Sequence, residues 1–142
     1  MNNHWGTNYR AYQEGPVVFR FVVRPHRGPG SDAEASRFAT GVSQPLVAVP
    51  GRGKAPDATP LLQVEPAEVI VSGLKPSDDG KAIIIRLLGA TDKPIAARLN
   101  WTRRAPQRLW MSDTSERPKT EVGGEVRVPA WGVVTLRAEL PQ

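Results

Sequence analysis

The sequence has no cysteine and only two histidines, His4 and His26. That removes disulfides, thiol nucleophiles and thiolate metal sites together. Neither histidine has a second ligand-type residue at metal spacing, so no zinc motif can be read from the chain. No apolar run approaches the roughly 18 residues of a membrane-spanning helix, and no charged-then-apolar leader is visible. A cysteine-free chain of this kind is expected to be cytoplasmic. No glycine-rich phosphate loop opens a helix, and no Gly-x-Ser-x-Gly elbow is present. Asp78 and Asp79 are the adjacent carboxylates, and their place in Pro76-Ser77-Asp78-Asp79-Gly80 makes them turn formers rather than a catalytic pair. The chain by itself is therefore expected not to be catalytic, with no catalytic residue to name.

What the chain does have is proline, glycine and short apolar bursts. It carries 14 Pro and 13 Gly in 142 residues. A chain of this size buries a sizeable core, and many short runs between turn residues favour strands over helices. The net charge of +5 comes mainly from arginine. Arg20, Arg24, Arg86, Arg98, Arg127 and Arg137 alternate with apolar residues, which reads as the solvent face of a sheet rather than a nucleic-acid surface. Arg103, Arg104 and Arg108 form the one local cluster, in a loop.

Val17, Phe19, Phe21 and Val23 share one face of a period-two run, with Val18, Arg20, Val22 and Arg24 on the other. Such a strand is expected to be covered on both sides. Ser31 with Glu34 three residues on reads as a capping box, followed by Ala35, Phe38, Ala39 and Val42 at helical spacing. This predicts a helix from Asp32 to about Gly41, then a short strand from Leu46 to Val49. Residues 51–60 offer almost no apolar anchor and read as a linker.

Beyond it, strand signals recur about every ten residues, the spacing of a sandwich or barrel. They cover Leu61 to Val64, Val69 to Leu74, Ala82 to Leu88, Ile95 to Trp101, Leu109 to Met111, Glu125 to Val128 and Val134 to Leu140. Ala82 to Leu88 is apolar enough to be a central strand with both faces covered. Trp101, Trp110 and Trp131 fall at strand ends or turns and are expected to cap the core. The expected architecture is all-β: an antiparallel β-sandwich over 61–142, preceded by a strand–helix–strand segment over 1–50 that reads as the remnant of a larger β-domain.

The opening run, Asn2-Asn3-His4-Trp5-Gly6-Thr7-Asn8-Tyr9, is aromatic and amide-rich, and it leads almost directly into the first strand, as if the chain began inside a larger fold. Aromatic faces beside amides suit the apolar side and the hydroxyls of a sugar. The alternative is a loop whose aromatic rings plug a core edge. Asn3, Trp5, Asn8 and Tyr9 are the candidate carbohydrate-contacting residues.

That opening, with Gln13-Glu14-Gly15 and the strand after it, resembles the closing part of the large β-domain of glycoside hydrolase family 38 α-mannosidases. Val64-Glu65-Pro66-Ala67-Glu68-Val69-Ile70-Val71-Ser72-Gly73-Leu74-Lys75 is similar to the first strand of that family's C-terminal sandwich. Asp79-Gly80 through Ile83-Ile84-Ile85-Arg86-Leu87 is similar to the next strand, and Val128-Pro129-Ala130 through Thr135-Leu136-Arg137 to the last. The chain departs from the family at Leu88-Gly89-Ala90 and at Trp110-Met111-Ser112-Asp113. The resemblance implies a non-catalytic C-terminal portion of an α-mannosidase-like enzyme of mannose metabolism. The zinc and the carboxylates of such an enzyme lie in a separate N-terminal domain that has no counterpart here, so this chain is expected to hold no metal or cofactor. The partner would then be a catalytic α-mannosidase-like polypeptide, or a second copy through the Val17 to Val23 strand. A free-standing carbohydrate-binding module and a strand-pairing interaction protein are the alternatives from other classes. Neither a membrane nor a nucleic-acid partner is expected.

Overall fold

A computed structural model describes residues 15–44, 47–48, 50–53 and 59–141. They form one helix and two packed antiparallel sheets, a sandwich-like β protein. The elements are α1 (Asp32–Ser43), β1 (Leu62–Glu65), β2 (Val69–Pro76), β3 (Ala82–Gly89), β4 (Ile95–Trp101), β5 (Arg108–Ser112), β6 (Thr120–Glu121), β7 (Glu125–Val128) and β8 (Val133–Glu139). One sheet has the order β1-β4-β7 and the other β2-β3-β8-β5-β6.

Alternation decides which side chains meet between the sheets. In β4, Ile95, Ala97, Leu99 and Trp101 point inward, opposite Val128 and Val126 of β7 and Val64 and Leu62 of β1. The five-stranded sheet answers with Ile85 and Leu87 of β3, and Leu136 and Ala138 of β8, all fully buried. Val69, Val71, Leu109 and Met111 complete this core. Registers follow from the same pattern: Ile85 faces Leu136 and Leu87 faces Val134. A one-residue slip would turn each of these side chains to the wrong face.

The outer face of the five-stranded sheet is covered too. Ala33 of α1 packs with Ile70, Ala90 and Leu88, and Ile84, which also points outward, is buried. The expectation of a central strand covered on both sides is met by β3. The helix starts where expected, Ser31 accepting from the Glu34 N–H at 3.4 Å, and runs two residues past Gly41.

Two expectations fail at the N-terminal end. Val17 to Val23 forms no strand: it is exposed and pairs with no strand among the described residues. Alternation gives a segment strand character, but a ladder needs a free edge alongside it, and no strand among the described residues pairs with this one. Residues 47–48 likewise carry no strand, while Leu46 and Val49 lie outside the described residues. The linker region is described at 51–53 and 59–60, where it is exposed.

The packing makes two expectations testable. Leu87→Ala should cost about 2–5 kcal/mol of stability in a urea titration, because it opens a cavity between the sheets. No residue of the main core precedes Leu62 among those described. A chain beginning at Thr59 should therefore still melt in one cooperative step, at a lower temperature because Ile70 and Ala90 lose Ala33. A non-cooperative melt would show that the first sixty residues share the core.

Candidate functional site

Asn3, Trp5, Asn8 and Tyr9 lie outside the described residues. What the structure does assemble is a charged cluster on the outer face of the five-stranded sheet, and an exposed apolar segment ahead of the helix.

The cluster starts from a turn. Ser77, Asp79 and Gly80 close the β2–β3 connection: the Gly80 N–H donates to the Ser77 carbonyl at 2.9 Å, and Gly80 takes φ +69, which suits a residue without Cβ. The Ser77 hydroxyl donates to Asp79 Oδ1 at 2.6 Å and accepts from the Ala82 N–H at 2.9 Å. Asp78 and Asp79 are thus turn formers, as their position suggests.

Asp79 has a second task. Its Oδ2 accepts from Nη2 of Arg137 at 2.8 Å, and Arg137 is only 5% exposed. This corrects the reading of Arg137 as a solvated residue. It does sit on the outward face of β8, but β8 is the middle strand of five, and the chain between β5 and β6 folds back over it. Glu116, on that returning segment, gives its carbonyl to Nη1 of Arg137 at 3.2 Å. Its carboxylate takes the Lys75 ammonium at 2.5 Å and the Asp78 N–H at 2.8 Å. Arg86, Arg98 and Arg127 are exposed, as expected.

The charges reinforce one another. The Arg137 hydrogen bond, followed by those from Ser77 and the Lys81 N–H, holds the Asp79 carboxyl well below the usual range. The Lys75 hydrogen bond, then the Asp78 N–H, lowers Glu116. Hydrogen bonds to their carboxylates push Arg137 and Lys75 up. These shifts run against acid catalysis. A glycosidase acid needs a raised pKa, whereas here both carboxylates are held ionised with their oxygens engaged. An open depression of about 490 Å³ borders the cluster, lined by Lys81, Arg117 and Glu139 among others, but the Asp79, Glu116 and Arg137 side chains on its wall are already engaged with one another or with Lys75. The cluster is a clamp that ties the β5–β6 segment to the sheet.

Among the described residues no group of three His, Cys, Asp or Glu could hold a metal ion. His26 is exposed, its Nδ1 3.1 Å from the Gly28 carbonyl, next to an open depression of about 410 Å³ that reaches Phe38 of α1. The Arg24 guanidinium lies 5.8 Å from the centre of the Phe38 ring, which fastens the end of the apolar segment to the helix. Before that contact the segment is bare: Val18, Phe21 and Val23 are 87%, 84% and 85% exposed.

Of the three tryptophans expected to cap the core, Trp101 packs against it and Trp110 is partly buried on the opposite face of β5. Trp131 does not cap it: it is 54% exposed. Neither Trp131's exposure nor Glu116's role carries a signal in the sequence, because each depends on which loops meet. No protein-family model matches the chain, and no curated protein matches it at a significant level.

The clamp has a signed pH dependence. Asp79 and Glu116 have lower pKa values folded than unfolded, so their contribution is complete above the unfolded carboxylate range and is lost as pH falls through the folded values. Arg137 and Lys75 are raised, so theirs persists through neutral pH. The urea midpoint should stay level from about pH 6 to 8 and fall below about pH 4.5. Asp79→Asn should lower the midpoint at pH 7 and flatten that acid decline. An unchanged midpoint would show that the Asp79–Arg137 pair contributes nothing.

Proposed function

We propose that this chain is the non-catalytic C-terminal β-sandwich portion of an α-mannosidase-like glycoside hydrolase, and that it supports and frames a catalytic domain carried on another polypeptide. The observation that carries the reading is the bare segment Val17 to Val23. It has apolar side chains on both faces, no strand beside it among the described residues, and most of its apolar surface in solvent. Such a segment suits a strand inside a larger sheet covered on both sides. Burial contributes roughly 25 cal/mol per Å², so covering ~300 Å² of it yields several kcal/mol toward association.

The motif order adds support. Val64 to Lys75 spans the end of β1 and most of β2, Asp79 to Leu87 spans the turn and β3, and Val128 to Arg137 spans the end of β7 and most of β8. The three stretches that resemble the family therefore fall on strands of one sandwich. The chemistry agrees as well: the carboxylates around Arg137 are engaged in structural pairs, and a supporting role asks nothing more of them. In this reading the zinc and the reacting carboxylates belong to the partner.

Two measurements test it. The purified chain with added zinc should not hydrolyse an aryl α-mannoside; turnover that a single carboxylate substitution abolishes would overturn the reading. The backbone amides of Val17 to Val23 should exchange rapidly in the chain alone and become protected when a zinc-bearing α-mannosidase-like catalytic polypeptide is added. Amides already protected in a strict monomer at high concentration would mean that the chain closes on itself, and would favour a self-contained binding module.

A further inference from the structure

Two non-glycine residues among those described have a positive φ, Glu116 at 61° and Trp131 at 50°. A side chain beyond glycine is strained there, and such strain persists only where something holds it. For Glu116 the holder is internal: Lys75, the Asp78 N–H and Arg137 all bind it. Trp131 is held through its backbone alone, and its side chain makes no hydrogen bond among the described residues. It stands third in the turn Pro129–Gly132, closed by the Gly132 N–H to the Pro129 carbonyl at 3.1 Å. A positive φ at the third position is where a turn prefers glycine, and here glycine comes one residue later. The indole also gains little from burial, with more than half of it in solvent.

The turn is nonetheless held firmly. The Trp131 N–H donates to the Thr91 carbonyl at 3.2 Å, and the Gly89 N–H to the Gly132 carbonyl at 3.0 Å. A Cβ added at Gly89 would lie 2.5 Å from the Pro129 oxygen, and one at Gly132 would lie 2.8 Å from Pro129 Cβ. The close approach of turn to strand depends on both glycines. The result is a fixed turn that carries an exposed indole beside the polar loop Thr91-Asp92-Lys93, of which Asp92 and Lys93 are exposed.

We infer that Trp131 is a stacking platform for a neutral saccharide, with the Thr91–Lys93 loop supplying hydroxyl partners. An indole face covers the apolar side of a pyranose, and a hydroxyl, a carboxylate and an ammonium can accept from and donate to its hydroxyls. A ring carried on a turn already held in place loses less entropy on binding than one on a mobile loop. The inference stands on the sandwich alone and does not depend on the function proposed above.

The test uses the full chain. Methyl α-mannoside, α-mannobiose, cellobiose and chitobiose are each titrated while the NMR signals of the Trp131 indole N–H and of residues 91–93 are followed. At least one sugar should shift those signals in a saturable way. Trp131→Phe should keep part of the affinity, while Trp131→Ala should lose about tenfold or more. Trp131→Gly should abolish binding yet raise the melting temperature, because it relieves the backbone. No saturable shift with any of the four sugars would overturn the inference. So would a Trp131→Gly variant that melts lower than the parent, since Trp131 would then serve the fold. Association through Trp131 with a protein, without any response to sugar, would also overturn it.

Discussion

The structure depends on covering β3 on both sides. β3 pairs with β2 and β8, and its inward residues Ile85 and Leu87 are fully buried against the three-stranded sheet. Its outward residues Ala82 and Ile84 are buried as well, so the opposite face cannot be left to water. Two separate pieces of chain cover it. Helix α1 lies over the Leu88 end through Ala33, Ile70 and Ala90, and the segment between β5 and β6 binds through Glu116 to Lys75 and Arg137, the cross-strand neighbours of Ile84. The second cover is polar, and it works because its charges are matched. An unpaired arginine at this depth would be costly to desolvate, but Arg137 reaches Asp79, the Glu116 carbonyl and, at 3.4 Å, Glu139.

The same logic separates the surfaces that serve the fold from those that do not. Wherever the molecule departs from ordinary backbone geometry or places polar groups near its core, it usually answers with local bonds, as at Gly80, Glu116 and Arg137. The apolar side chains of Val17 to Val23 and of Trp131 lack that answer within the described residues. Both expose large apolar side chains; the first ends at the contact of Arg24 with Phe38, and the second sits on a turn held by the Thr91 and Pro129 carbonyls and the Gly89 N–H. The first is an extended apolar segment that suits a strand partner. The second is a single exposed ring on a held turn, which suits a small, partly apolar ligand. Their different shapes are the reason they are assigned different occupants.

What the sequence settled by itself was local. Short apolar runs between turn residues placed β1 to β5, β7 and β8, with period-two alternation in β4 and β8, where inward and outward positions differ in polarity, and a continuous apolar run in β3. Ser31 and Glu34 placed the helix start, and Pro76 to Gly80 placed the turn, through preferences that act within four residues. The two residues of β6 were too few to show a period. Only the tertiary structure decided matters that rest on distant partners. Arg137 and Arg127 look alike in the sequence, each flanked by smaller or apolar neighbours in a strand. One is buried and the other exposed, because the segment between β5 and β6 folds over Arg137 and binds it through the Glu116 carbonyl, while Arg127 is left to solvent. Asp79 meets Arg137 across 58 positions, beyond the reach of any local pattern. Val17 to Val23 shows the converse: alternation fixed its two faces, but a strand exists only where another chain segment offers an edge, and strand pairing is decided by the fold.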